Sequence, residues 1–174
     1  MQTLILGGVR SGKSRLAERL AVDSGLPVSY IATARADDAE MQARIQHHQA
    51  NRPSHWRTVE APLALADALQ REGSAEPRRL ILVDCLTLWL TNLLLDPDPA
   101  RLARERAALL TTLPQLPGEL IMVSNETGLG IVPLGELTRR YCDEAGRLHQ
   151  DIAASSGRVI LTIAGLPHYL KGKP

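Results

Sequence analysis

Gly7-Gly8-Val9-Arg10-Ser11-Gly12-Lys13-Ser14 follows directly on the apolar run Leu4-Ile5-Leu6. The eight residues match G-x-x-x-x-G-K-[ST], the P-loop. The pattern predicts a strand ending near Leu6 and a helix beginning near Lys13, so that backbone N–H groups of the loop and of the helix start converge on one anion-sized hollow. Gly7 and Gly12 let the backbone approach phosphate oxygens with no Cβ in the way. Lys13 reaches toward β- and γ-phosphates in such a loop, and the Ser14 hydroxyl is the expected ligand of Mg²⁺.

Composition adds an independent argument for Lys13. The chain has 17 Arg and 3 Lys, and two of the lysines fall in the last four residues, so Lys13 is the only lysine in the first 170 positions. A sequence that carries nearly all its positive charge as arginine keeps a compact ammonium here, where a point charge must fit between phosphates.

The remaining numbers narrow the class. A length of 174 residues suits one domain, read as residues 1–174, with a sizeable core. The net charge of +1 supplies no basic field for nucleic acid. Cys85 and Cys142 are too far apart for a C-x-x-C site, so neither zinc nor a disulfide framework is indicated. No signal-peptide core precedes Gly7, and the run from Leu86 to Leu95 is too short and too interrupted to span a bilayer. The expectation is a cytoplasmic protein without membrane insertion.

Around the P-loop, apolar runs alternate with helical patterns. Ser14 to Ser24 reads as a helix ended by Gly25, and Val28 to Thr33 as a second strand. Asp37 to about Ala50 reads as a helix with an acidic start. A short strand is expected at Trp56–Glu60 and a helix from Pro62 through Leu69. Arg79 to Asp84 is a near-continuous apolar run ending in an acid, as a strand buried on both faces should be. Helices then follow at Leu86–Leu95 and, after Pro97 and Pro99, to about Leu113. Glu119–Ser124 is the next strand, Pro133 opens a helix to about Ser155, and Arg158–Ile163 is the last clear strand. There is no hairpin signal of the Asn-Gly type. The fold class is α/β, a mostly parallel sheet with helices on both faces.

Three further stretches carry chemistry. Asp84 ends a buried strand about 70 residues after the P-loop, which suits either an acid near Mg²⁺ or a cap for the next helix; its position at the carboxyl end of the strand favours the metal role. His47 and His48 lie mid-helix. His48 shares a stripe with Met41 and Ile45 and faces inward, whereas His47 falls with Glu40, Arg44 and Asn51. Periodicity alone favours a packed core histidine at 48 over a nucleophile. His55, His149 and His168 show no spacing signal and read as surface or capping residues. Ser124 to Pro133 sets a carboxylate and two glycines after a buried strand, equally a phosphate- or substrate-facing loop and a long connection.

Together, these stretches resemble one family. The P-loop, Tyr30-Ile31-Ala32-Thr33, Arg44-Ile45-Gln46-His47-His48 with Arg52-Pro53, Trp56-Arg57-Thr58 and Glu60, Asp84-Cys85-Leu86-Thr87 with Thr91-Asn92-Leu93-Leu94, and Asn125-Glu126-Thr127-Gly128-Leu129-Gly130-Ile131-Val132-Pro133 occur in this order. The sequence is similar to the bifunctional adenosylcobinamide kinases / adenosylcobinamide-phosphate guanylyltransferases over nearly its whole length. The resemblance implies a RecA-like P-loop NTPase fold and a homotrimer. It implies two reactions, phosphorylation of a corrinoid alcohol by ATP or GTP and transfer of GMP from GTP through a guanylylated histidine. That histidine matches His48, the one the helical face also prefers, with Lys13 as the second catalytic residue. Nucleotide contacts match Gly7, Gly8, Val9, Arg10, Ser11, Gly12, Lys13, Ser14, Ala32, Thr33, Ala34, Gln49, Ala50, Asn51, Arg52, Glu60 and Asp84, with Ser14 and Asp84 at Mg²⁺. One departure is His149 in Arg147-Leu148-His149-Gln150, where the family pattern has Asn; it bears on substrate or subunit contacts.

Two other readings remain open on sequence grounds. A P-loop kinase of another small-molecule alcohol would leave His48 structural. A GTP-binding switch is disfavoured because Asn125 is followed by Glu126, not by the Lys of the guanine-reading Asn-Lys-x-Asp element.

Overall fold

The computed structural model describes residues 1–35, 53–76 and 78–173. Seven strands form one sheet: β1 (Gln2–Gly7), β2 (Val28–Ala32), β3 (Arg57–Glu60), β4 (Leu80–Asp84), β5 (Glu119–Asn125), β6 (Arg158–Ile163) and β7 (Leu166–Lys171). Their order is β3-β2-β4-β5-β1-β6-β7. The first six run parallel and β7 pairs antiparallel with β6. Five α-helices accompany them among the described residues: α1 (Lys13–Asp23), α2 (Leu65–Ala75), α3 (Leu86–Leu94), α4 (Arg101–Thr112) and α5 (Glu136–Ser155).

The apolar runs end up buried on both faces because side chains alternate across a strand. Leu4 and Leu6 join Ile81, Val83, Leu120 and Met122 in a core covered by α2, α3, α4 and α5. Ile5 points the other way, joining Leu80, Leu82, Ile121 and Val123 against Leu16, Ala17 and Ala21 of α1. Full burial of one such Leu or Ile side chain stabilises by about 1.5–3 kcal/mol. Helix α1 ends as its sequence suggests: Gly25 has φ 65° and donates its N–H to the Val22 carbonyl.

The structure revises four expectations. Helix α2 starts at Leu65, not Pro62, because the carbonyls of Pro62 and Leu63 are taken by Asn92 Nδ2 and Trp89 Nε1 of α3. It also runs past Leu69 to Ala75, since Glu72 is buried beneath it and Leu116 and Pro117 pack on Gly73. Helix α5 starts at Glu136, three residues after Pro133; the Pro133 and Leu134 carbonyls instead accept hydrogen bonds from the Arg139 guanidinium. Finally, β6 is not the last strand. A hairpin leads into β7 through Ala164 (φ 51°) and Gly165 (φ 79°), the two positive-φ positions of a tight turn that Asn-Gly usually fills.

That turn is anchored from outside. The Gly165 N–H donates to the Ser11 carbonyl at 2.8 Å, so the hairpin tip braces the P-loop. The helix expected from Asp37 to about Ala50 lies outside the described residues, as do His47, His48, Gln49, Ala50, Asn51 and Arg52.

Candidate active site

Every stretch singled out for chemistry among the described residues sits at the carboxyl edge of the parallel strands, where open α/β sheets form their ligand crevice. The P-loop leaves β1, Ala32-Thr33-Ala34 leaves β2, Glu60 ends β3, Asp84 ends β4, and Asn125-Glu126 leaves β5. Register draws them together: Ala32 is level with both Glu60 and Asp84, and Gly7 with Asn125.

The P-loop is built so that no side chain competes for its donors. Helix α1 has Gly12 at its N-cap in the left-handed region (φ 95°), no capping side chain, and no acid in its first turn. Its first N–H groups and its positive dipole end are therefore available to an anion. A Cβ on Gly7 would overlap Ser11 Oγ and approach the Thr162 carbonyl oxygen at 2.6 Å, and one on Gly12 would lie 3.0 Å from Gly165 Cα. Both glycines are thus required by close backbone approach. Gly8, Val9 and Arg10 form the exposed outer arc of the loop.

Lys13 bends back over the loop and donates to the Gly8 carbonyl at 3.0 Å. Burial pushes its pKa below the ordinary lysine value, opposed by Cys85 and Asp84. A partly desolvated ammonium held by one carbonyl gains most when an anion enters beside it.

Asp84 is the carboxylate across from it. Helix α3 is capped at Cys85, with no side-chain cap hydrogen bond, so Asp84 does not serve as the cap of that helix. The Tyr30 hydroxyl donates to Asp84 Oδ2 at 3.0 Å and orients it. Beside it, Cys85 is held as a neutral thiol: burial first, and then Asp84, push its pKa up to about 11. Ser14 and Asp84 are hard oxygen donors of the type that suits Mg²⁺, which keeps several waters and binds substrate phosphates alongside one or two protein ligands. No group of three or more His, Cys, Asp or Glu side chains that could cage a metal occurs among the described residues.

Thr33 has a different role from the rest. It is fully buried; its hydroxyl donates to the Cys85 carbonyl and accepts from the Cys85 N–H, and its own carbonyl accepts from Asn92. The side chain locks the end of β2 to the end of β4. Ala34 is half-buried and Glu60 exposed on the same edge.

The loop after β5 is tied to the P-loop directly. Glu126 donates its backbone N–H to the Gly7 carbonyl at 3.0 Å, and its Oε1 accepts from the Gly128 N–H. Beyond it the chain is apolar and exposed: Leu129, Ile131, Val132 and Leu134 are all at least 72% accessible. A groove of about 370 Å³ lies along this segment, bounded by Thr127, Pro133, Arg139 and Cys142.

This arrangement can be set beside known proteins. The family model described as cobinamide kinase / cobinamide phosphate guanyltransferase matches residues 3–170. The chain belongs to that family. Within it, the chain is 68% identical over 174 residues to the bifunctional adenosylcobalamin biosynthesis protein CobP of Pseudomonas aeruginosa, covering 100% of this chain and 99% of that one. It is 41% identical over 179 residues to the bifunctional adenosylcobalamin biosynthesis protein CobU of Escherichia coli, covering 95% and 97%. A solved structure from Pyrococcus horikoshii OT3, titled a structural study of project PH0250, shares the fold. It covers 99% of this chain and 87% of its own at a TM-score of 0.56 and 8% identity.

Three groups at this edge escaped sequence reasoning. The Tyr30 hydroxyl on Asp84 depends on β2 lying beside β4, which no local pattern reveals. The Gly165 brace depends on β7, whose turn lacks the usual Asn. His149, expected as a surface or capping residue, is buried and bonded to Ser124 at 2.8 Å. Helical spacing carried some signal for it, since Ala145, Leu148, His149 and Ile152 form the buried stripe of α5. His55 and His168 are exposed, as expected.

Proposed function

We propose that this chain phosphorylates the aminopropanol hydroxyl of adenosylcobinamide with ATP or GTP and then transfers GMP from GTP, through His48, to the phosphate just made. Family membership supports the pair of reactions. The observation that carries the nucleotide half is the uncapped start of α1, with Lys13 bent over it and Asp84 opposite.

In this reading the P-loop N–H groups and Lys13 hold the β- and γ-phosphates and stabilise the charge that gathers on them as the phosphoryl group moves. Ser14 and Asp84 would hold Mg²⁺, which when bound supplies further charge neutralisation on those oxygens. Tyr30 keeps the Asp84 carboxylate turned to the crevice. Ala32, Thr33, Ala34 and Glu60, with Gln49, Ala50, Asn51 and Arg52, are the assigned guanine and ribose contacts.

In the second reaction the neutral imidazole of His48 attacks the α-phosphorus of GTP. A P–N bond forms and the bond to pyrophosphate breaks. The phosphate of the corrinoid then displaces the histidine and forms the diphosphate of adenosylcobinamide-GDP. An unperturbed imidazole, with a pKa of about 6.5, is largely neutral at cytoplasmic pH. We assign the work to the cytoplasm; among the described residues no helix is long and apolar enough to cross a membrane.

Incubation with labelled GTP and Mg²⁺ tests this. GMP should remain on the protein through a bond labile to acid and stable to base, and His48→Ala should abolish it while His47→Ala does not. Wild-type protein that takes no label would eliminate the transferase half; robust phosphorylation of some other alcohol, with none of cobinamide, would favour a plain P-loop kinase.

We also assign a homotrimer. Leu129, Ile131, Val132 and Leu134 form an exposed apolar segment of a kind that monomers seldom leave uncovered. Ile131→Asp with Leu134→Asp should convert the trimer to monomer by light scattering.

A further inference from the structure

The polar groups behind Glu126 form one connected, largely buried chain. The Asn125 N–H donates to Thr87 Oγ1 at 2.7 Å, Thr87 Oγ1 lies 3.5 Å from Ser124 Oγ, and Ser124 Oγ lies 2.8 Å from His149 Nε2. The other ring nitrogen, Nδ1, faces Glu126 Oε2 at 3.9 Å. Ser124 is 1% accessible and His149 8%. The Ser124 hydroxyl can donate to Nε2 of a neutral ring. In that tautomer the ring carries its proton on Nδ1, on the side of Glu126. Burial lowers the pKa of His149, with Glu126 opposing, which keeps the ring neutral.

The carboxylate at the end of this chain is well placed for chemistry. Its backbone is bonded to the first glycine of the P-loop, its Oε1 is held by the Gly128 N–H, and its side chain is 22% accessible. The other ionisable groups near it are Tyr141, whose pKa burial pushes up to about 12, and His149 itself. Glu126 is therefore an oriented carboxylate beside the phosphate loop, with no cation neutralising it in an ion pair among the described residues.

We propose that Glu126 accepts the proton of the alcohol in the kinase step, and that His149, held by Ser124, is the positioning residue that orients it. The proposal rests on the kinase half of the function above. The hydroxyl oxygen attacks the γ-phosphorus of the nucleotide, an O–P bond forms, and the bond to the β–γ bridging oxygen breaks, releasing the nucleoside diphosphate. The hydroxyl proton passes to the Glu126 carboxylate and from there to water.

The experiment measures the two half-reactions separately: cobinamide with ATP, and presynthesised cobinamide phosphate with GTP, together with the melting temperature of each protein. Glu126→Gln should lower kcat of the kinase half by about 10²–10³ with KM for ATP little changed, the range expected for loss of a general base. The guanylyl-transfer half should fall far less. His149→Leu should lower kinase kcat several-fold at unchanged KM, and His149→Asn, whose amide nitrogen can stand where Nδ1 faces Glu126, should restore most of it. Parallel losses in both halves, an unchanged kinase kcat in Glu126→Gln, or a His149→Leu protein that merely melts earlier would each overturn the proposal. A wild-type protein that phosphorylates no cobinamide would instead overturn the kinase function, and this assignment with it.

Discussion

The two edges of the sheet treat their buried charges in opposite ways. At the amino edge, Glu72 of α2 is 4% accessible and saturated: Arg79 donates to it at 2.9 Å, Ser29 Oγ donates to it, and Arg57 approaches within 3.2 Å. Arg79 is occupied in turn by Ser29 and Glu76. At the carboxyl edge, α1 has no side-chain cap, Lys13 has one carbonyl, and the buried Ser11 Oγ and Thr162 Oγ1 have no hydrogen-bond partner among the described residues. The Glu72 carboxylate is thus satisfied within the fold, although Arg79 Nε beside it and Gln2 Oε1 are buried without a partner. The groups proposed to meet the nucleotide keep donors in reserve, at a cost to stability.

Substitutions at the two edges should separate these roles. Removing Glu72 leaves the buried Ser29 hydroxyl and one side of the Arg79 guanidinium without an acceptor, while Glu76 still pairs with Arg79. Glu72→Ala should therefore lower unfolding free energy by about 1–3 kcal/mol in a urea titration. Its folded fraction should still bind nucleotide. Lys13→Ala should do the reverse: melting should hold or rise, because a desolvated cation is gone, while kinase kcat falls by about 10²–10³. A Lys13→Ala protein that unfolds as readily as Glu72→Ala would erase the contrast.

Smaller effects sharpen it. Gly12→Ala forces a Cβ into a left-handed position against Gly165, a strain of about 1–3 kcal/mol, and should weaken nucleotide binding measured by calorimetry more than it lowers the melting temperature. Cys85, with its pKa near 11, should be all but inert to iodoacetamide at mildly alkaline pH in a Cys142→Ser background and become reactive on unfolding.

The smallest expected effect is at His149. Its folded pKa lies below the unfolded value of 6.5. The unfolded chain therefore takes up a proton first as pH falls, and stability is lost from about 6.5 down toward the folded pKa. Melting curves of His149→Asn should show a shallower decline over that window.

Much of the carboxyl edge was legible before any coordinates. Lys13, Gly7 and Gly12 declare themselves because a phosphate loop is local: eight contiguous residues carry both its shape and its chemistry. Asp84 was legible because an acid terminating an apolar run is also a local pattern. Tyr30 was not, because its hydroxyl matters only once β2 lies against β4. His149 was misread as a surface or capping residue because histidine is polar wherever it stands, and its burial comes from the packing of α5 against α3, α4 and β1. The hairpin was overlooked because Ala164 adopts a conformation its sequence does not advertise, stabilised by the Ser11 carbonyl some 150 residues earlier.

By itself, the order of residues determined the phosphate loop, the run of parallel strands and the family, since each is written in short-range spacing. Tertiary structure alone decided which polar groups meet across strands: Tyr30 with Asp84, Gly165 with Ser11, and His149 with Ser124 and Glu126. The physical reason is that hydrogen bonds act over about 3 Å. Distances that short, between residues far apart in the chain, exist only after the sheet has closed and the helices have settled on it.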